Sequence, residues 1–231
     1  MSAPSFDGFP AETAGFLREL AGNNERRWFQ ENKHRYEDFV LSPAFAFIGA
    51  MAPRLEGISE HFLAIPKRAG GSLMRVYRDT RFSRNKTPYK TNIGIHFRHE
   101  LGRDVHAPGF YVHIEPGSCF LGAGIWHPDA KALTAIRDRI VEDPGAWLRV
   151  RDARRFRGAF ELDGASLKRP PRGVPADHPC IEDLKRKDFI ATTAFGIADT
   201  QSPRFVEHAA RCFSAAESFV GFLCGALSLR F

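Results

Sequence analysis

The segment Gly109-Phe110-Tyr111-Val112-His113-Ile114-Glu115-Pro116-Gly117-Ser118-Cys119-Phe120-Leu121-Gly122-Ala123-Gly124 alternates apolar and polar side chains around a Pro-Gly turn. Successive strand residues point to opposite faces, so Phe110, Val112 and Ile114 share one face, and Tyr111, His113 and Glu115 share the other. Pairing Glu115 with Ser118 sets His113 opposite Phe120 and Tyr111 opposite Gly122. It also brings Cys119 and Leu121 to the apolar face. A Pro-Gly pair favours a type II turn, which suits a tight two-residue hairpin poorly; a register shifted by one residue is the alternative.

Outward from this hairpin, residues 73–77, 92–98 and 189–193 also read as strands. If the strand beginning at Asn92 lies beside that beginning at Gly109, then His96, Arg98, Tyr111, His113 and Glu115 project to one side, opposite Ile93, Ile95 and Phe97. Before residue 66 the pattern is helical. Pro10 and Glu12 open a short helix carrying Phe16, Leu17 and Leu20 and ending near Gly22. Asn23 or Asn24 can cap a second helix over residues 25–41, which Pro43 should interrupt, and a third runs over 44–55. After the hairpin, His127 and Pro128 open a helix with Ala132, Leu133, Ile136 and Ile140 inward, stopped by Asp143-Pro144-Gly145. Residues 158–179, rich in Gly and Pro, read as irregular apart from short extended pieces. A last helix spans 203–227, with final turns apolar nearly all round, which suits either a core position or an oligomer contact. Helices, then a meander, then helices, without βα alternation, describe an α+β fold over a single domain, residues 1–231. The N-terminal helices precede a central, largely antiparallel sheet, and the C-terminal helix packs on that sheet.

Composition narrows the function classes. Of 231 residues, 43% are hydrophobic and 26% charged, the profile of a globular chain, and 21 phenylalanines supply an aromatic core. No apolar run reaches the length of a spanning helix, the longest being residues 218–229, so no membrane passage is expected. The first nine residues carry Asp7 and no Lys or Arg, unlike a secretory signal, and a cytoplasmic location is the expectation. Cys119, Cys180, Cys212 and Cys224 fit neither a zinc knuckle nor a redox CxxC pair and are expected to be reduced thiols. Gly122-Ala123-Gly124 lacks the third glycine of a dinucleotide fingerprint, and no phosphate-binding GxxxxGK[ST] loop occurs. No cofactor and no metal site is expected. Cys180 beside Asp177 and His178 is expected to be structural, and Trp126 and Trp147 to be core or helix-packing residues.

The net charge of +6 is unevenly placed. Between residues 75 and 90, Arg75, Arg78, Arg81, Arg84, Lys86 and Lys90 face one acid, Asp79. Five arginines lie between residues 149 and 157, and Lys168, Arg169 and Arg172 form a third block. Guanidinium forks interleaved with threonine and serine hydroxyls are the donor set that satisfies phosphate or carboxylate oxygens. The candidate anion-binding residues are Arg78, Arg81, Arg84, Lys86 and Lys90. On the other reading, Asp79 and acids elsewhere neutralise the loop, which Phe82 and Tyr89 pin to the core. Two histidines and a carboxylate on the polar sheet face can bind a metal or move protons, but with no HExxH spacing and no third close-spaced ligand an ordinary half-exposed sheet face is the better account.

The runs Arg78-Asp79-Thr80-Arg81-Phe82-Ser83 and Lys86-Thr87-Pro88-Tyr89-Lys90-Thr91, with Pro108 to Gly117 and Gly122-Ala123-Gly124-Ile125-Trp126-His127-Pro128, resemble the domain of unknown function 2461 family of bacterial and fungal proteins. Leu167-Lys168-Arg169-Pro170, Asp177-His178-Pro179 and Leu184-Lys185-Arg186-Lys187-Asp188-Phe189 are similar to that family's C-terminal signature. The resemblance implies one intact domain and directs attention to the motif from Arg78 to Lys90; it brings no reaction or catalytic residue with it. Three roles follow as expectations. The first is a module binding an anionic small molecule or nucleic acid through the basic loop. The second is an enzyme on an anionic substrate, with Asp79, His113 or Glu115 as the acid–base group. The third is an assembly role through the apolar C-terminal helix.

Overall fold

The alternation about Pro116-Gly117 lies at the heart of a five-stranded antiparallel sheet in a computed structural model that describes residues 5–102 and 106–231. Strands β1 (Ile93–Arg98), β2 (Gly109–Ile114), β3 (Phe120–Ile125), β4 (Glu161–Asp163) and β5 (Phe189–Ala194) are ordered β1-β2-β3-β5-β4. The unshifted register forms, with Tyr111 opposite Gly122 and His113 opposite Phe120. The type II preference is met because the ladder stops at the His113 pair. Ser118 N–H closes the turn onto the Glu115 carbonyl at 2.9 Å, and Gly117 takes φ +91°. Residues 73–77 do not form a strand: Leu73 bridges to Ile95, and Tyr77 turns away to bridge Tyr89.

The helices depart from the sequence reading at several points. The expected second helix is divided into α2 (Arg26–Glu31), α3 (Lys33–Tyr36) and a π-helical turn (Glu37–Leu41). Asn32 makes the break, its amide Nδ2 and its backbone N–H both donating to the Trp28 carbonyl, at 2.9 and 3.0 Å. Pro43 does not interrupt the chain. Leu41 and Ser42 keep helical dihedrals, and the proline sits in the first turn of α4 (Ser42–Glu56), where a missing N–H does no harm. The expected C-terminal helix is two, α9 (Phe205–Ala215) and α10 (Glu217–Ala226), hinged at Ala216. The helix expected to open at His127 and Pro128 starts at Ala130 behind an Asp129 cap, and Pro144 opens a further helix that the sequence reading lacks. α1 (Glu12–Gly22) buries Phe16, Leu17 and Leu20, and Asp143 ends α5 (Ala130–Glu142). The same Asp143 carboxylate caps α6 (Pro144–Arg151), accepting from Ala146 N–H at 2.8 Å, and two one-turn helices, α7 (Arg154–Arg157) and α8 (Ile181–Leu184), precede α9.

Helices α4, α9 and α10 cover the apolar sheet face. Phe47 lies 6.4 Å from Phe97, and Phe213 lies 5.0 Å from Phe110 and 6.1 Å from Phe97, ring centre to ring centre. The apolar final turns belong to this core, with Phe219, Val220, Leu223 and Cys224 all buried. All four cysteines are unpaired, and burial pushes the Cys224 thiol up to about 12. Trp147 is fully buried as expected, but Trp126 is 50% exposed: it lies just past the end of β3, where the chain leaves the sheet. On the opposite sheet face Tyr111 lies across Gly94, where a Cβ would stand 2.7 Å from the phenol oxygen. Among the described residues, no helix is long and apolar enough to cross a membrane.

Candidate functional site

The basic segment is a long hairpin on a stiff base. Arg78 N–H donates to the Pro88 carbonyl at 2.9 Å and Lys90 N–H to the Val76 carbonyl at 2.7 Å, around the Tyr77–Tyr89 bridge. Tyr89 is buried, its ring stacked on Phe29 of α2 at 4.1 Å. Asn24 does not cap α2. Its amide instead grips the Tyr89 backbone, Nδ2 donating to the carbonyl and Oδ1 accepting from the N–H, both at 3.0 Å. A side-chain amide thus supplies both bonds that a neighbouring strand would have given Tyr89, and it ties the hairpin to the helical layer.

The tip is different. Asp79 Oδ2 accepts from the Arg81 guanidinium at 2.8 Å, and this partner pulls the carboxyl down to about 2. Lys86 Nζ donates to the Thr80 carbonyl at 2.8 Å, and Arg84 has no partner among the described residues. Phe82 is 95% exposed, so it pins nothing to the core. Lys90 lies beneath the hairpin, its ammonium 3.9 Å from Met74 Sδ. Burial, aided by the charge of Arg75, lowers its pKa.

Between hairpin base and α2 is a hollow of ≈ 390 Å³ lined by Arg26, Gln30, Tyr77, Arg78, Thr80, Pro88 and Tyr89. No carboxylate is in this lining. Arg78 is oriented by the Thr87 hydroxyl, to which it donates, and it shares the lining with the guanidinium of Arg26. Of the five predicted cations only Arg78 lines the hollow. Arg81, Arg84 and Lys86 belong to the tip and Lys90 to the packing below. Neither of the other two basic blocks contributes to it; Arg151, for instance, is paired with Asp152 and with buried Asp183, both at 2.6 Å. Arg26, inside the expected second helix, was not singled out from sequence.

The predicted acid–base residues fall into two separate networks. The side-chain bonds of Asp79 go to Arg81, whereas His113 and Glu115 meet on the sheet face. His113 Nε2 lies 3.3 Å from Glu115 Oε2. Its Nδ1 lies 3.1 Å from the Tyr111 hydroxyl and 3.4 Å from Asn92 Nδ2, while Phe120 stacks on the ring at 4.7 Å. Thr91 donates to the other Glu115 oxygen at 2.7 Å. Both imidazole nitrogens are engaged. Burial and the nearby Glu115 push the Tyr111 phenol up to about 12. Among the described residues no group of three His, Cys, Asp or Glu side chains is placed to hold a metal ion. Cys180 is buried, burial raises its pKa, and His178 is turned to its backbone N–H at 3.0 Å rather than to its thiol.

An antiparallel sheet backed by helices on one face, with a hairpin tied to the N-terminal helical layer, defines the class: an α+β protein, here with a surface hollow that Arg26 and Arg78 help to line. The chain belongs to the family described as Conserved hypothetical protein (DUF2461), whose pattern matches residues 12–222. No curated protein and no solved structure matched it.

Proposed function

We propose that the hollow at the hairpin base binds a phosphate-bearing or other anionic small ligand. The observation that carries this reading is that Arg26 and Arg78, 52 positions apart in sequence, line one space together with Thr80, Gln30 and two tyrosines and no carboxylate. Guanidinium forks engage phosphate oxygens in pairs, and the half-exposed Tyr77 ring offers a flat face to a base or sugar beside the anion. The volume suits a small molecule, within the range of ordinary ligand pockets. Acid–base catalysis by Asp79, His113 or Glu115 has less support, since each is already engaged by its neighbours and none lines the hollow. A reducing, cytoplasmic setting is part of the same proposal, suggested by the unpaired thiols.

The test is calorimetric titration with inorganic pyrophosphate, AMP and a single-stranded oligonucleotide at low salt. Pyrophosphate or AMP should bind the native chain, and Arg78→Ala or Arg26→Ala should weaken binding about tenfold or more, in line with the strength of charge-assisted bonds. Arg84→Ala should change it less than twofold. Equal loss from all three, or affinity for the oligonucleotide alone with a steep salt dependence, would replace the hollow by a diffuse basic surface.

A further inference from the structure

At the end of the sheet remote from the basic hairpin, the chain leaves β3 through a strained corner. Ile125 pairs with Phe189, so Trp126 and His127 meet Asp188 just beyond the last ladder pair. His127 has φ +48°, in the left-handed region that glycine enters freely and that only a few per cent of other residues adopt. Asp188 is buried, its side chain 2% exposed. Its Oδ1 accepts from His127 N–H at 2.8 Å and lies 2.7 Å from His127 Nδ1, while Oδ2 accepts from Ala165 N–H at 2.9 Å. Gly164, at φ +102°, closes over this carboxylate; a Cβ there would stand 2.6 Å from that of Asp188. Fixed by two backbone donors and held ionised, the carboxylate can only accept, so Nδ1 carries the imidazole proton and Nε2 presents a lone pair.

That nitrogen has no partner among the described residues, and the His127 side chain is 55% exposed. The indole of Trp126 stacks on the imidazole at 4.2 Å and is itself half-exposed, with the His106 ring parallel to it at 6.0 Å. His113 makes the contrast: it sits in relaxed strand geometry with both nitrogens engaged. At His127 a strained backbone holds an imidazole outward on a buried carboxylate, beside an aromatic platform. Strain of this kind, in a position that glycine would fill without penalty, points to the side chain's chemistry.

We propose that Trp126, His127 and Asp188 form a catalytic site that hydrolyses esters of flat aromatic or heteroaromatic alcohols. The ring of the substrate lies against Trp126. His127 Nε2 takes a proton from water as the water oxygen bonds to the acyl carbon. The carbon–oxygen bond to the aromatic alcohol then breaks, and the departing oxygen recovers the proton from Nε2. Asp188 is a positioning residue: it fixes the tautomer and supports the transient imidazolium.

The probe is 4-nitrophenyl acetate, followed by release of 4-nitrophenolate. The native chain should exceed an equimolar imidazole control by at least tenfold, and His127→Gly should lose that excess. Because glycine accepts this backbone conformation and the two backbone N–H groups still hold Asp188, the variant should fold, its dichroism spectrum matching that of the native chain, and added free imidazole should restore part of the rate. Trp126→Leu should raise KM more than it lowers kcat. Nitrogen-15 spectra of the native ring should show the proton on Nδ1; in Asp188→Asn, whose amide can donate to Nδ1, it should move to Nε2 with loss of rate. A native rate no higher than the control, a His127→Gly variant as fast as the native chain, or a native Nε2–H tautomer would each overturn the proposal.

Discussion

The tip and the base of the basic hairpin carry the same kinds of side chain and behave as different materials. At the tip, Arg81 is taken up by Asp79, Lys86 by a backbone carbonyl, and Phe82 stands in solvent. At the base, Tyr89 is buried on Phe29, Asn24 fixes its backbone, and Arg78 is oriented by Thr87 toward a space it shares with Arg26. Charge density is greater at the tip, yet directed charge is found at the base. A binding site needs donors whose geometry is settled before the ligand arrives, because a flexible cation must be ordered at the ligand's expense.

Breaking the base should therefore have the largest effect. Tyr89→Ala removes a fully packed ring and should lower stability by about 3–5 kcal/mol, the range for large aromatic truncations, as read by urea denaturation. Pyrophosphate binding should go with it. Asn24→Ala leaves the Tyr89 amide and carbonyl without partners and should destabilise by about 1–3 kcal/mol while leaving the ring stack in place. Amide exchange of Tyr89 and Lys90 should speed up in that variant. If exchange is unchanged, the hairpin base is held by packing alone. Lys90→Met sharpens the same comparison from below. The ammonium lies against Met74, and burial disfavours its charge, so the folded pKa is depressed and the charged form opposes folding at neutral pH. The apolar variant should raise the urea midpoint slightly at pH 7, and the gain should shrink as the native chain is taken above the lysine's folded pKa.

The sheet was legible in the sequence for a reason of symmetry. A side-chain period of two leaves one register for Phe110, Val112, Ile114 and Leu121 to share a face, and the pairing of His113 with Phe120 follows from it. The helix breaks were not. Asn32 lies inside the span read as one helix, residues 25–41, and Ala216, where α9 gives way to α10, is a good helix former with no local signal. The hollow was half legible. The segment from Arg78 to Lys90 was marked by its charge, but Arg26 joins it only because Asn24, placed where a helix cap is expected, bonds a residue 65 positions away. Trp126 reads as a core residue because large aromatics usually are. Its half-exposed position, one residue past the end of β3, depends on where the chain leaves the sheet, and the sequence does not mark that point. What local periodicity determines can be read from the chain; what depends on one distant hydrogen bond cannot.

The smallest effect belongs to the tip, and its sign is fixed. With Arg81 beside it, the Asp79 carboxyl is lowered from 3.8 to about 2. A carboxyl depressed in the folded state contributes its stability above the unfolded value and loses it as pH falls through 3.8 toward 2. Carbon-13 titration of the native chain should place the Asp79 midpoint near the lower value, and Arg81→Ala should return it toward the upper one. Because the pair is exposed, removing either partner should leave the urea midpoint at pH 7 within error. Binding of pyrophosphate should also survive Arg81→Ala. Should that variant instead release both the carboxyl and the ligand, the tip and the base would be one site, and the distinction between dense and directed charge would fail at this hairpin.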